Sequence, residues 1–304
     1  MSKSKDVLFS IILPTYNRGD FISNAILSVL NQDYKYWELI VVDDGSTDNT
    51  REIISTFNDS RITYLYKKHE ERSIARNYGI SFAHGDYICF LDSDDIYYKN
   101  HLLVLYNEII KKEFPVAIFS TGTKIVKKEG EWKRPLFDEL IYKHPIYYVW
   151  EKFLLINSVC VHSSILESNK FPEKFNVWED THLWLRVVAQ FPFHQISSQT
   201  TQWNVHNNTS GSKSFNTVDV KYVKTYLSAV YDIFENHYGL LSPYFKIKDI
   251  RKYNYEKLSM YLLTCYKKRK YITFIKLYLV GLQYADKKKL NRYIYRLVSN
   301  RNKQ

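Results

Sequence analysis
An apolar run followed by a helical pattern recurs three or four times in about the first ninety residues, and no other feature limits the folds open to this chain so narrowly. Residues 7–13 read as a buried strand, after which Ile22, Ala25, Ile26, Val29 and Leu30 repeat at helical spacing to about Asn31. A second strand over 38–42 leads to a helix opened by Asp48 or Asn49, with Ile53, Ile54 and Phe57 on its apolar side. A third over 62–66 precedes a helix face of Ala75, Tyr78, Gly79 and Phe82, which Gly85 is expected to end in a left-handed conformation. The fourth begins after Gly85. Parallel neighbours need helical crossovers of this length, so the expected fold class is α/β, a doubly wound and mostly parallel sheet flanked by helices.

Beyond these units, Leu102, Leu105, Tyr106 and Ile109 mark a helix, 116–120 a strand, 124–132 a hairpin around Glu129-Gly130, and 158–162 a further strand. Leu183, Trp184, Val187 and Val188 form a helical run behind Trp178-Glu179-Asp180. From about Phe215 the pattern becomes one of long amphipathic helices, so we expect an α/β domain over 1–211 and a basic α-helical region over 212–304. Charge divides the same way. Residues 1–211 hold 23 basic against 26 acidic side chains, and 212–304 hold 20 against 6. A basic, Tyr-rich tail suits an anionic membrane surface, a nucleic acid or solubility alone.

Three scattered cysteines, Cys89, Cys160 and Cys265, without metal-ligand spacing, suit buried thiols in a reducing compartment. The apolar run ending at Pro14 is too short for a signal peptide, and no stretch reaches membrane-spanning length. The expected location is therefore cytoplasmic, with the tail at the inner face of the cell membrane.

Chemistry concentrates at strand ends. The fourth strand stops in Asp92-Ser93-Asp94-Asp95, three carboxylates within four positions, a density that calls for a counter-ion. Oxygen-only ligands favour Mg²⁺ or Mn²⁺, which keep positions for water and substrate phosphates; the plainer alternative is that Asp94 or Asp95 caps the next helix. Because parallel strands present their carboxyl ends on one side, 14–18, 43–46 and 92–95 should meet in one crevice. There Tyr16 offers a flat face to a base and Asp44 an acceptor for a base N–H.

Together, Ile-Leu-Pro-Thr-Tyr-Asn-Arg (12–18), Val-Val-Asp-Asp-Gly-Ser-Thr-Asp (41–48), Ala-Arg-Asn-Tyr-Gly-Ile (75–80), Phe-Leu-Asp-Ser-Asp-Asp (90–95) and Glu-Asp (179–180) resemble the family 2 glycosyltransferases of the GT-A fold, over residues 7 to about 211. The resemblance implies inverting, metal-dependent transfer of a sugar from a nucleotide donor to an acceptor hydroxyl. It places Pro14 and Tyr16 at the base, Asp44 on the base, Asp92 at the ribose or sugar, and Asp94 with His206 at Mn²⁺ or Mg²⁺. Arg18, Arg76 and Ser93 join the nucleotide-sugar site, Asp180 is the general base, and Glu179 orients it or meets the acceptor. A uridine diphosphate donor and a saccharide or lipid-linked acceptor are implied.

Some positions depart from the pattern. Where relatives carry Asn-x-Gly before the Ala-Arg-Asn stretch, this chain has His69-Glu70-Glu71-Arg72, and position 204 is Asn where relatives often have Arg. Gln199 to Trp203 is similar to the Gln-x-x-Arg-Trp signature of processive synthases but has Gln202 for the arginine, so a single sugar addition is expected. The competing class is a non-catalytic nucleotide-sugar or nucleic-acid binder. Nucleic acid is disfavoured because the tail's aromatics follow core spacing, and a dinucleotide dehydrogenase because no Gly-x-Gly-x-x-Gly follows the first strand.

Overall fold
A computed structural model describes residues 6–133, 143–206 and 218–299. The chain divides into two compact units, Met1–Val205 and His206–Gln304. The expected boundary at 211 falls outside the described residues.

The first unit is built on a mixed sheet. Strands β1 (Phe9–Thr15), β2 (Trp37–Asp43), β3 (Ile62–Tyr66) and β4 (Tyr87–Phe90) lie parallel in the order β3-β2-β1-β4. Their crossovers are helices α1 (Gly19–Leu30), α2 (Thr50–Ser55) and α3 (Arg72–Ile80), the arrangement that the strand-then-helix alternation demands. Beyond β4 the sheet continues through β8 (Val159–His162), β6 (Ile118–Lys127), β9 (Phe193–Asn204) and β5 (Ile96–Tyr97), and β7 (Gly130–Lys133) closes a hairpin on β6. β8 is antiparallel to β4 and β6, β5 is antiparallel to β9, and β6 and β9 run parallel.

Helices cover both faces. Odd-numbered β1 residues Phe9, Ile11 and Leu13 pack with Ile22, Ala25, Ile26 and Val29 of α1, and with Leu102, Leu105 and Ile109 of α4 (His101–Lys111). On the other face, Gly79 of α3 lies against Ile12 and Val42. There the Trp184 ring of α7 (Glu179–Val188) lies tilted 5.8 Å from Phe90, and Phe171 meets Phe90 edge-on at 5.4 Å. The remaining helices of this unit are α5 (Pro145–Lys152) and α6 (Ser163–Ser168).

Three expectations change. Pro14 belongs to β1 rather than to the loop, pairing with Val42. The carbonyls of Phe9's odd-numbered companions face β2, as Thr15 does in accepting from Asp44 N–H, whereas Ile12 accepts from Leu91 N–H on the β4 side. Pro14 thus faces the β4 side just past its last rung, Ile12 opposite Phe90, and its missing N–H breaks no ladder bond. Gly85 does not end α3, which stops at Ile80. A Cβ there would lie 2.6 Å from Ser10 N and 2.8 Å from Leu8 O, so the glycine permits close backbone approach to β1. Nor do Asp94 and Asp95 cap a helix, since β5 follows them and Asn100 precedes α4.

The second unit is helical: α8 (Val220–Asn236), α9 (Tyr238–Leu241), α10 (Ile247–Lys267), α11 (Tyr271–Tyr284) and α12 (Lys287–Ser299). Its core joins Val223, Leu227, Leu258, Tyr261, Leu262, Cys265, Leu277 and Leu290. Asn254 Nδ2 donates to the carbonyls of Leu227 and Tyr284, tying α8, α10 and the end of α11. Among the described residues, no helix is long and apolar enough to cross a membrane.

Candidate active site
Four loops at the carboxyl ends of β1, β2, β3 and β4 are stitched into one wall. Asn17 turns with φ 51°, its N–H donating to Ser46 Oγ at 2.9 Å while its Oδ1 accepts from Thr47 N–H at 2.8 Å. Asp43 is a structural cap: Oδ1 accepts from Ser46 N–H and Oδ2 from Tyr64 O–H, at 2.8 and 2.7 Å. Its neighbour does something else. Asp44 is buried and reaches across to the loop after β3, where Oδ1 accepts from Lys67 Nζ at 2.7 Å and Glu70 N–H at 3.0 Å. Asp44 Oδ2 accepts from Glu71 N–H at 2.9 Å and lies 2.8 Å from His69 Nδ1. Tyr16, 42% exposed, is stacked on the His69 ring, centroids 4.0 Å apart and planes within 16°.

That loop leads into α3, whose Arg76 is fully buried and joins two acidic elements. Nη2 donates to Asp92 Oδ1 at 2.8 Å and Nη1 to Glu179 Oε1 at 3.0 Å, with Arg72 Nε 3.8 Å from the same Glu179 oxygen. Arg76 Nε is buried without a hydrogen-bond partner. Arg76 therefore pairs with neither Glu70 nor Glu71; Glu70 pairs with Lys67. Burial works to raise the Asp92 carboxyl, but the adjacent guanidinium overrides it and holds the group below its ordinary range.

The two acidic residues of α7 stand in its first turn, where the positive end of the helix dipole favours them. Phe90–Trp184 packing on the sheet sets where that turn sits. Burial, with the neighbouring Glu179, nonetheless pushes the Asp180 carboxyl up to about 6, against the pull of Arg76. Asp180 Oδ1 accepts from Thr181 N–H at 2.6 Å.

In the acidic loop itself the residues divide by task. Asp95 is buried, accepting from Asn157 Nδ2 at 2.9 Å and from Asn204 N–H at 3.0 Å. Burial, with Asp92 and Asp94 nearby, lifts its carboxyl well above the usual value. Ser93 is buried between them. Asp94 keeps part of its side chain accessible, its Oδ2 4.0 Å from Arg18 Nη2. Among the described residues no group of three or more His, Cys, Asp and Glu side chains forms a closed metal cage. Asp94, with Asp92 two positions away, supplies hard oxygen donors on side chains that both stay partly accessible. Such a set fits a divalent ion whose shell is completed by phosphate oxygens and water.

Of the expected site residues, Tyr16, Arg18, Asp44, Arg76, Asp92, Ser93, Asp94, Glu179 and Asp180 fall in one connected region, with Pro14 at the adjoining end of β1. His206 belongs to the second unit. Three contributors escaped the sequence reading. His69 and Asn204 were visible only as departures from a pattern, and Lys67, whose Nζ donates to Asp44, carried no signal at all; Asn204, whose Nδ2 donates to the Asp94 carbonyl at 2.7 Å, sits on a strand that alternation did not reveal.

Residues 10–168, just over half of the chain, match the family model described as Glycosyl transferase family 2. An uncharacterized glycosyltransferase of Rickettsia felis is 32% identical over 216 residues, 67% of this chain, which spans about one third (34%) of that relative's length. WfgD of Escherichia coli, named as a UDP-Glc:α-D-GlcNAc-diphosphoundecaprenol β-1,3-glucosyltransferase, is 33% identical over 57% of this chain and 85% of its own. Among solved structures, Staphylococcus aureus TarS with UDP-GlcNAc superposes with TM-score 0.68 at 19% identity, over 94% of this chain and 83% of TarS. The Pyrobaculum calidifontis mannosyltransferase PcManGT with GDP-Man and Mn²⁺ superposes with TM-score 0.58 at 15% identity, over 92% and 88%. The family match spans the four parallel strands and the acidic loop that follows the last of them: the chain has the GT-A fold and belongs to glycosyl transferase family 2.

Proposed function
We propose that the protein is an inverting glycosyltransferase that moves a single sugar from a nucleoside-diphosphate donor, UDP-linked in the first instance, to an acceptor hydroxyl in bacterial surface polysaccharide or glycolipid synthesis. The observation that carries this reading is Arg76, which fastens Asp92 of the acidic loop and Glu179 of α7 to one guanidinium and so holds Asp180 beside the donor-side carboxylates. The UDP-linked donor and lipid-diphosphate acceptor in the WfgD name, and the UDP-GlcNAc held by TarS, support the choice of donor and acceptor class.

In this reading Tyr16, Pro14 and Asp44 receive the base, Asp92 and Ser93 meet the ribose or sugar, and Arg18 lies near the diphosphate. Asp94 would hold Mn²⁺ or Mg²⁺. The ion, once bound, offsets charge on the departing diphosphate. Asp180, titrating near 6, is ionised at neutral pH and basic enough to take a proton from the acceptor hydroxyl. Glu179, neutralised by Arg76, orients that turn. Inversion then needs no carboxylate nucleophile.

Asp180→Asn tests the proposal: donor binding by calorimetry should persist while nucleoside-diphosphate release with acceptor falls by about 10²- to 10⁴-fold. Unchanged turnover in that variant, or in EDTA, would reject the mechanism. We place the second unit at an anionic membrane surface. Tyr271, Ile272, Ile275 and Leu279 form an exposed stripe on α11, which has no acidic residue and follows the exposed run Lys267, Lys268, Arg269 and Lys270.

A further inference from the structure
His69 makes both of the contacts that the reading above gives to the nucleobase. Its ring lies flat on Tyr16, centroids 4.0 Å apart with 16° between planes. Its Nδ1 is 2.8 Å from Asp44 Oδ2 and 3.1 Å from the Asp44 carbonyl oxygen. Both neighbours are acceptors, so Nδ1 carries the proton.

The rest of the Asp44 carboxylate is already engaged. Oδ1 has Lys67 Nζ and Glu70 N–H, and Oδ2 has Glu71 N–H beside the His69 contact. A carboxylate offers about four lone-pair positions, so a base N–H gains Asp44 only by taking the place of the imidazole. The Asp44 side chain is 5% accessible and the His69 side chain 41%. The imidazole is the member able to leave toward solvent.

We infer that His69 is an internal stand-in for the base, occupying the base pocket until the donor displaces it, and that it thereby sets donor affinity and base selection. The inference rests on the assignment of Tyr16 and Asp44 to the base. A base that replaces the imidazole must return a ring N–H to Asp44. Uracil, thymine and guanine have one, whereas cytosine presents a lone pair at N3 and sets acceptor against acceptor. Removing a group that competes for the pocket raises apparent affinity by the fraction of time the pocket was closed.

The test is calorimetric binding of UDP, dTDP, GDP and CDP, with Mg²⁺, to the full chain and to its His69→Ala and Tyr16→Ala variants, each first shown to unfold thermally like the parent. The expected result is that the best-bound of UDP, dTDP and GDP binds His69→Ala about threefold to tenfold more tightly than the parent, while Tyr16→Ala loses affinity and CDP binds weakly throughout. On adding that nucleotide to the parent, the His69 ring-proton resonances, assigned by their loss in His69→Ala, should move downfield out of the Tyr16 ring current. Equal or weaker binding by His69→Ala, or unmoved resonances, overturns the inference, and the base-pocket assignment survives if Tyr16→Ala still binds poorly. No loss in Tyr16→Ala, or equal affinity for CDP, overturns the assignment as well.

Discussion

Glu71 holds φ 78° and ψ 163°, a region that glycine enters freely and other residues enter at a cost of about 1–3 kcal/mol. The strain is held by its own N–H, which donates to Asp44. Glu71→Gly should therefore raise the unfolding free energy by about 1 kcal/mol in urea denaturation; a loss of stability would contradict the account. Asp180 carries a second prediction at this scale. Its folded pKa of about 6 lies above the value of about 3.9 in an unfolded chain. Between those pH values the native state binds more protons, so this group's contribution to stability falls as pH rises from about 4 to 6 and is level above. Activity should run the opposite way, kcat/KM rising through about pH 6 as the base ionises. Asp180→Asn should be more heat-stable than the parent at pH 8 and equal to it at pH 3.5.

Two glycines separate close packing from mere helix propensity in the elements that carry them. A methyl at Gly85 meets the Ser10 N of β1 and the carbonyl of Leu8 just before it at under 3 Å, where neither backbone can shift without disturbing bonds to β4 such as Tyr87 N–H to Leu8 O. Gly85→Ala should cost about 1–3 kcal/mol or more. Gly239, in α9, has nothing within 4 Å of its would-be methyl. Gly239→Ala should be neutral or stabilising by up to about 1 kcal/mol. Thermal unfolding of the two variants distinguishes them, and similar losses in both would mean that the close approach of β1 and Gly85 does not matter to the fold. The acidic loop depends on an element of another kind. β9 supplies the Asn204 groups that hold Asp94 and Asp95, although its Phe193–Asn204 run has no clean alternation of polar and apolar residues. It is half-buried at most positions, and it shifts register against β6 between Ser120 and Thr123. Alternation fails wherever a strand changes face in this way.

The uneven charge of the whole chain, a slight acidic excess to residue 211 and a strong basic one after it, leads to a binding prediction. Each basic side chain near anionic lipid contributes about 1 kcal/mol, and the α11 stripe adds apolar area. The full chain should co-sediment with phosphatidylglycerol-containing vesicles, bind phosphatidylcholine vesicles poorly, and release in high salt. Ile275→Glu with Leu279→Glu should weaken the anionic binding severalfold. Retention of that variant at parental levels would remove α11 from the contact.

What the linear order of residues determined by itself was local: the spacing of Ile22, Ala25, Ile26 and Val29 is that of a helix, and runs such as 38–42 are strands, because side-chain periodicity follows from backbone geometry alone. Order also placed the carboxylates, since parallel strands joined by helices must present their ends on one side. Only the folded chain decided which of them are tools and which are supports. Asp43 and Asp44 are neighbours of one chemistry, yet one caps a turn and the other is gripped by the loop after β3; Asp94 and Asp95 differ likewise, one partly accessible near Arg18 and one buried on Asn157 and Asn204. Partners that arrive from 26 to 110 residues away set burial and hydrogen bonding, and these, more than residue type, fix what a carboxylate can do.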